Sequence, residues 1–284
     1  MSMNAFHARQ RKPDAPAARR AAFDQRLAPC PALSDALRTR ADVLLAAQFD
    51  CSRARAKWLI QSGKACCADI VIRKPTQELP RNSRLTLAEN ARGAFVSRGG
   101  DKLAGALAHT RMSVAGCYCL DVGQSTGGFT DCLLTAGAAR VTGVDVGQRQ
   151  LAPRLLSDPR VRAFTGINCR TLTAADLGEA FPPRGFDRVT VDVSFISLTL
   201  ILPSLSPLLA ADGQMLLLVK PQFEVGPGGV GKGGIVRDAR LYAEVEAKLR
   251  RCCAVLALNV RQWFASSLTG SDGNHEFFLW TSKA

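Results

Sequence analysis

The chain lacks several features that would point to export or metal chemistry. Its ten cysteines include no C-x-x-C spacing and only three histidines accompany them, which argues against a zinc site. The opening residues, MSMNAFHARQRKPDAPAARR, contain no apolar core of a secretory signal, so a cytoplasmic protein with free thiols is expected. The nearest approach to a membrane span, LTLILPSLSPLLAADGQMLLLV, is cut by Pro203, Pro207 and Asp212-Gly213, which argues against a lipid-buried helix and a membrane partner. Beside 13 Phe stand only 3 Trp and 2 Tyr, too few for a long platform on which nucleic-acid bases stack.

Positive charge is plentiful and uneven. Residues 1–98 carry 18 Lys and Arg against 8 Asp and Glu, whereas residues 99–284 carry 19 against 16, so most of the net +13 is N-terminal. Such asymmetry suggests a polyanionic partner, because basic side chains that neutralise phosphates release counterions. The alternative from charge alone is a solubilising tail. Residues 1–37, rich in Arg, Ala and Pro without an apolar period, are expected to be a disordered basic tail.

From residue 38 the pattern changes. RADVLLAAQFD reads as a short helix and CSRARAKWLIQSGK as a second, with Ser52 as N-cap and Gly63 as C-cap. Ala56, Leu59 and Ile60 share one face of that second helix, while Arg53 and Lys57 project together elsewhere. Short strands follow, ending near Leu87. Residues 38–90, two basic helices and then a small sheet, resemble the S4-type RNA-binding domain, an α+β module that lays its helix pair against structured RNA. That resemblance implies RNA contacts by Arg53, Arg55, Lys57 and Lys64, for which a solvated helix face is the alternative. The family usually has an Asn-Gly turn between its strands, where this chain has Ala68-Asp69. Residues 91–100 read as a linker.

Residues 101–284 alternate helical and strand-like stretches. YCLDVG, RVTGVDV, RVRAFTG, FDRVTVDVS and GQMLLLVKP have the length and apolarity of buried parallel strands, which predicts a doubly wound, mostly parallel α/β sheet. Ligands bind such sheets beyond the C-terminal strand ends. Asp121 ends the first strand, Gly123 allows a tight turn, and Gly127 and Gly128 let the backbone approach a ligand. The order D-x-G-x-x-x-G-G is not the G-x-G-x-x-G of dinucleotide sites. It looks like the first motif of S-adenosylmethionine-dependent methyltransferases. Asp145, at the end of the next strand, is placed to accept hydrogen bonds from both hydroxyls of an adenosine ribose. A turn-forming or helix-capping role is the alternative for each aspartate.

Four more residues end or begin elements of this domain: Lys102, Asp192, Lys220 and Glu276. Together they suit methyl transfer to a ribose 2'-hydroxyl. A lysine beside a second lysine holds its proton less tightly, through repulsion and desolvation, and so becomes a better base. Lys220 is expected nearest the hydroxyl, with Lys102 as electrostatic helper and Asp192 and Glu276 orienting the two ammonium groups. Strand-capping salt bridges remain the alternative for any one pair.

The ordered set VSRGGDKL, LDVGQSTGGFTDCLL, GVDVGQRQLA, VDVSFISL, VKPQFE, VGKGGIVRD and GNHEFF resembles the TlyA (haemolysin A-like) family of rRNA methyltransferases, over about residues 40–280. That family joins an S4-type domain to an FtsJ/RrmJ-like 2'-O-methyltransferase domain with a Rossmann-like fold. The resemblance implies a catalytic tetrad at Lys102, Asp192, Lys220 and Glu276. It implies S-adenosylmethionine binding by Asp121, Gly123, Ser125, Thr126 and Gly127, with Asp145 as the ribose acid. It further implies ribose methylation of cytidine in ribosomal RNA or ribosomal subunits. No metal is required, since the methyl already sits on a cationic sulfur, and a monomer is expected. Gln124 departs from the family, which has a small residue there, and the Arg-rich tail exceeds the family pattern. Lys232, in the glycine-rich stretch after Lys220, is a candidate phosphate contact or a plain loop residue. Two other readings are a non-catalytic ribosome-assembly factor and a membrane-lytic protein.

Overall fold

The computed structural model describes residues 38–49, 51–61, 63–87, 95–148 and 150–284. The expected disordered tail, and residues 91–94 of the expected linker, lie outside the described residues.

The N-terminal elements run β1 (Arg38–Arg40), α1 (Ala41–Gln48), α2 (Arg53–Gln61), β2 (Ala65–Cys67), β3 (Ile70–Val71), β4 (Glu78–Pro80) and β5 (Leu85–Leu87). Helix α2 starts as its sequence requires: Ser52 Oγ accepts the Arg55 backbone N–H at 3.1 Å, and Gly63 just past the helix has φ +68°. Ala56, Leu59 and Ile60 are buried with Ala41, Leu44 and Leu45 of α1, so the helices meet on the expected face. Cys67 pairs with Ile70, making Ala68-Asp69 a two-residue hairpin turn. Both turn residues adopt left-handed φ, 46° and 65°, the conformation an Asn-Gly turn adopts at lower steric cost. The hairpin closes without an Asn-Gly pair.

Next come α3 (Arg98–Thr110), β6 (Tyr118–Val122), α4 (Gly128–Thr135), β7 (Arg140–Asp145), α5 (Pro153–Leu156), β8 (Val161–Thr165), α6 (Ala174–Leu177) and β9 (Phe186–Val191). They are followed by α7 (Leu202–Leu205), β10 (Leu209–Val219), α8 (Ala239–Val255), β11 (Leu258–Ala265) and β12 (Phe277–Lys283). The first turn of α3 occupies the end of the stretch expected as linker. One seven-stranded sheet has the order β11-β12-β10-β9-β6-β7-β8. β6 to β10 are parallel to one another, β12 runs antiparallel to β10, and β11 antiparallel to β12. The five predicted strands are present; β10 begins four residues earlier than its apolar run, and the final antiparallel pair was not predicted.

Side chains on β6 alternate between two cores. Leu120 and Val122 join one cluster with α7 and α8, while Cys119 joins the other with α3 and α4. The chain leaves β6 toward β7 and β8, then crosses back to β9 on the other side. That reversal opens a crevice beyond the strand ends; Asp192 and Lys220 reach it, while Asp121 and Asp145 lie at the ends of β6 and β7 beside it. Helices α3 and α4 approach closely because of glycine: a Cβ at Gly128 would lie 2.0 Å from Ser97 Oγ and 2.9 Å from the Gly100 nitrogen. This contact places Lys102, in the first turns of α3, beside the crevice. Among the described residues no helix is long and apolar enough to cross a membrane.

Candidate active site

Lys102, Asp192, Lys220 and Glu276 all line one cavity of about 840 Å³ at this crevice. They form two ion pairs. Lys102 and Glu276 are joined by a short hydrogen-bonded pair in which both side chains are buried. Burial pushes the Glu276 carboxyl above its ordinary range, against Lys102 and Lys220, which favour its charged form. Lys220 also acts on Glu276 electrostatically, as does Asp192, so the four groups share one field. Lys220 Nζ lies 2.7 Å from Asp192 Oδ1, yet off the direction of an aligned hydrogen bond. Its aligned hydrogen bond goes to Ser194 Oγ at 2.9 Å. This second pair is the more open of the two.

The loop after β6 forms the opposite wall, with Gly123, Gln124, Ser125, Thr126 and Gly128 lining the same cavity. Gly123 joins the walls. It has φ +83°, and a Cβ there would stand 2.3 Å from the Asp192 carbonyl oxygen. Any larger residue would push the end of β9 away from the loop. Gly127, φ +92°, packs beneath the loop, where a Cβ would meet Leu155 and Leu151. Gln124, the departure from the family pattern, points into the protein. It donates to Thr130 Oγ1 at 2.9 Å and fills the space above Gly143, where a Cβ would fall 1.9 Å from its Nε2. The long side chain at position 124 is thus accommodated by the missing one at 143.

Asp121 is fully buried behind the loop and accepts from Thr130 Oγ1 at 2.6 Å through Oδ2. Its Oδ1 is buried without a partner. Desolvation drives this carboxyl up to about 7, although the Thr130 hydrogen bond favours the ionised form. Asp145 is outside the cavity lining. Its oxygens accept the backbone N–H of Ser125 at 2.7 Å and of Gly147 at 2.6 Å, which holds the β6 and β7 loops together. Carboxylate lone pairs remain for a further donor at each oxygen.

The four basic residues expected to meet RNA separate. Arg53 is exposed and lines the cavity mouth while pairing with Asp42 at 3.1 Å. Lys57 is exposed. Lys64 is half-buried and lies 4.8 Å from the Trp58 ring centroid. Arg55 is a correction: it is buried, paired to Asp101 of α3 at 2.7 Å and stacked 4.6 Å over Trp58. Its charge ties α2 to α3 and is withdrawn from solvent. Lys232 is exposed, in a loop whose Val230 and Gly234 reach the cavity.

Among the cavity residues that sequence reasoning passed over, Ser194 and Phe195 stand out. Ser194 takes the Lys220 hydrogen bond, and Phe195 is 91% exposed with φ +65°. Phe195 stands against Phe223 with ring centroids 5.0 Å apart. An exposed aromatic in a conformation that costs roughly 1–2 kcal/mol is a functional signal, but only coordinates reveal it. Buried Asn274, outside the cavity lining, was also passed over: it accepts the Val236 N–H and donates to the Gly234 carbonyl, pinning the glycine-rich loop to the approach of Glu276.

The family model for FtsJ-like methyltransferases matches residues 95–283. The chain is 43% identical over 229 residues to the 16S/23S rRNA (cytidine-2'-O)-methyltransferase TlyA of Mycobacterium tuberculosis, covering 81% of this chain and 84% of that protein. It is 36% identical to Hemolysin A of Brachyspira hyodysenteriae, covering 68% and 78%. Among solved structures, a Streptococcus thermophilus protein described as a hemolysin superposes with TM-score 0.71 at 36% identity, covering 87% of this chain and 89% of its own.

The methyl donor of this family is S-adenosylmethionine, and the residues present fit it. The cavity has the volume of a small-molecule site, its loop is kept narrow by glycines, and the partnerless Asp121 oxygen lies directly behind that loop. The chain belongs to the TlyA (haemolysin A-like) family of FtsJ-like, S-adenosylmethionine-dependent methyltransferases.

Proposed function

We propose that the protein methylates the 2'-hydroxyl of a cytidine in ribosomal RNA, acting as a monomer in the cytoplasm. The observation that carries this reading is the meeting of two lysine–carboxylate pairs with the glycine-bordered donor loop in one cavity. S-adenosylmethionine supplies an electrophilic methyl on a sulfonium leaving group. Asp121, Gly123, Ser125, Thr126 and Gly127 shape the donor wall, and Asp145 offers its remaining lone pairs to the ribose.

Lys220 is the group nearest the attacking hydroxyl. Its Nζ receives the hydroxyl proton as the oxygen attacks the methyl, while Asp192 and Ser194 hold that nitrogen in place. Lys102, fixed by Glu276 in a site from which water is largely excluded, provides positive potential for the developing oxyanion. Phe195 presents an aromatic face at the mouth against which a target base can stack. Residues 38–87, read as an S4-type region, deliver the RNA, with Arg53 at the cavity and Lys57 on the adjoining surface.

The test is a methyl-transfer assay with labelled S-adenosylmethionine and ribosomal RNA or subunits, followed by mapping of 2'-O-methyl positions. Label at a cytidine ribose is expected. Label on a base, or donor binding with no transfer to any ribosomal substrate, would refute the reading.

A further inference from the structure

A second cavity, of about 950 Å³, opens at the other end of the sheet, where the strands begin. Tyr118 starts β6, Arg140 starts β7, Arg162 lies at the start of β8, and Asp187 at the start of β9. The five residues of β6 separate this opening from the donor loop, a distance of about 17 Å. Its wall is apolar, formed by Phe164, Phe181 and Leu177. Its rim is basic, with Arg140, Arg160, Arg162 and Arg184 against Glu179 and Asp187.

The rim arginines are not equivalent. Arg160 is paired to Asp158 at 2.7 Å, and Arg184 faces Asp212 at 3.8 Å. Arg140 and Arg162 have no carboxylate partner among the described residues. Arg140 lies 5.9 Å over the exposed ring of Tyr118, and Arg162 donates only to the Pro159 and Val161 carbonyls. Asp187 accepts the Tyr118 backbone N–H at 2.8 Å and forms no ion pair with either arginine among the described residues. Two unneutralised guanidinium groups beside an aromatic slot suit a ligand with a phosphate and a flat apolar face. Inorganic phosphate would leave the Phe164–Phe181 wall empty, and an acidic peptide side chain would not fill it.

We propose that this cavity takes a nucleoside phosphate, an unstacked nucleotide of the substrate RNA. Its base lies against the Phe164–Phe181 wall, and its phosphate is met by Arg140 and Arg162. The site anchors RNA at the end of the sheet remote from methyl transfer, and the proposal rests on the RNA reading above.

The test compares wild type with an Arg140→Gln/Arg162→Gln variant, which leaves the tetrad and the donor loop untouched. Ribosomal RNA binding is measured over a salt series, with methylation kinetics in parallel. The expected result is about tenfold weaker RNA binding and a log–log salt slope shallower by roughly 0.7 to 1.4, one or two phosphate contacts. The KM for RNA rises by a similar factor, while kcat, the Kd for S-adenosylmethionine and Tm do not change. Unaltered RNA affinity and salt slope in the variant would overturn the proposal alone, whereas a wild-type protein that binds the methyl donor but no RNA would overturn the RNA reading itself. A parallel titration with cytidine and adenosine monophosphates separates sources: saturable binding lost in the variant, with RNA affinity unmoved, would assign the cavity to a free nucleotide and refute the RNA anchor.

Discussion

On the β6–β7 side of the cavity the backbone is held by glycine and by hydrogen bonds that end on carboxylates: Asp145 to Ser125 and Gly147, Asp121 to Thr130. Across the cavity, where the ends of β9 and β10 meet α3 and the start of β12, the framework is charge on charge, Lys220 with Asp192 and Lys102 with Glu276. The contrast follows from what each wall is proposed to meet. A donor that already carries a positive sulfur needs shape and lone pairs, whereas a hydroxyl that must lose a proton needs positive potential. Substitutions on the two sides should therefore fail in different measurements.

The largest separation is expected at Lys220. Lys220→Ala should lower kcat by about 10²- to 10⁴-fold, the usual worth of a positioned proton-transfer group. Its Kd for S-adenosylmethionine, read by calorimetry, should stay within twofold. A parallel collapse of donor affinity would erase the distinction between the walls.

Glu276 tests whether the buried pair is foundation rather than chemistry. Glu276→Ala leaves Lys102 charged and buried, a change expected to cost about 3–5 kcal/mol in stability. Replacing both partners, Lys102→Met with Glu276→Leu, should recover most of that stability in denaturant unfolding without recovering turnover. Restored turnover would show that the pair serves only packing.

The donor side should instead respond to pH. The folded state holds the Asp121 proton up to about 7, whereas the ordinary value is 3.8. Its contribution to stability is therefore complete below about pH 4 and is lost as pH rises through 7, by about 4 kcal/mol at most. Tm measured from pH 5 to 8 should fall for wild type and flatten for Asp121→Asn, which keeps an acceptor for Thr130. If Asp121→Asn also weakens donor binding while remaining folded, the partnerless oxygen belongs to the donor site.

These walls were unequally legible in the sequence. Asp121, Asp192 and Lys220 each end an apolar run, so strand periodicity alone carried them to one sheet edge. Lys102 and Glu276 were visible only as motif residues, because their meeting depends on the α3–α4 glycine contact and on the antiparallel pair β11–β12. The polar residues along LNVRQWFA hide the edge strand β11, which alternates imperfectly and carries a register shift between Val260 and Gln262. Arg55 misled because helical spacing gives a direction, not the identity of the neighbour; Asp101 lies 46 residues away. Gln124 was readable only together with Gly143, a compensation across two strands that no local pattern displays.

The smallest effect is expected at Ser125, where the donor wall stores strain. Its φ of 47° costs a non-glycine residue roughly 1–2 kcal/mol, and its Oγ donates to Gln150 at 3.1 Å. Ser125→Gly relieves the conformation but loses that hydrogen bond and gives the unfolded chain more freedom, worth about 0.4–1 kcal/mol. The opposing contributions should leave Tm within a degree or two of wild type. The loop, released from one tie, should bind S-adenosylmethionine a few fold more weakly with kcat at saturating donor unchanged. A fall in kcat with an unaltered donor Kd would mean that the loop also orients the acceptor, and the division between a shape-holding wall and a charge-holding wall would have to be abandoned.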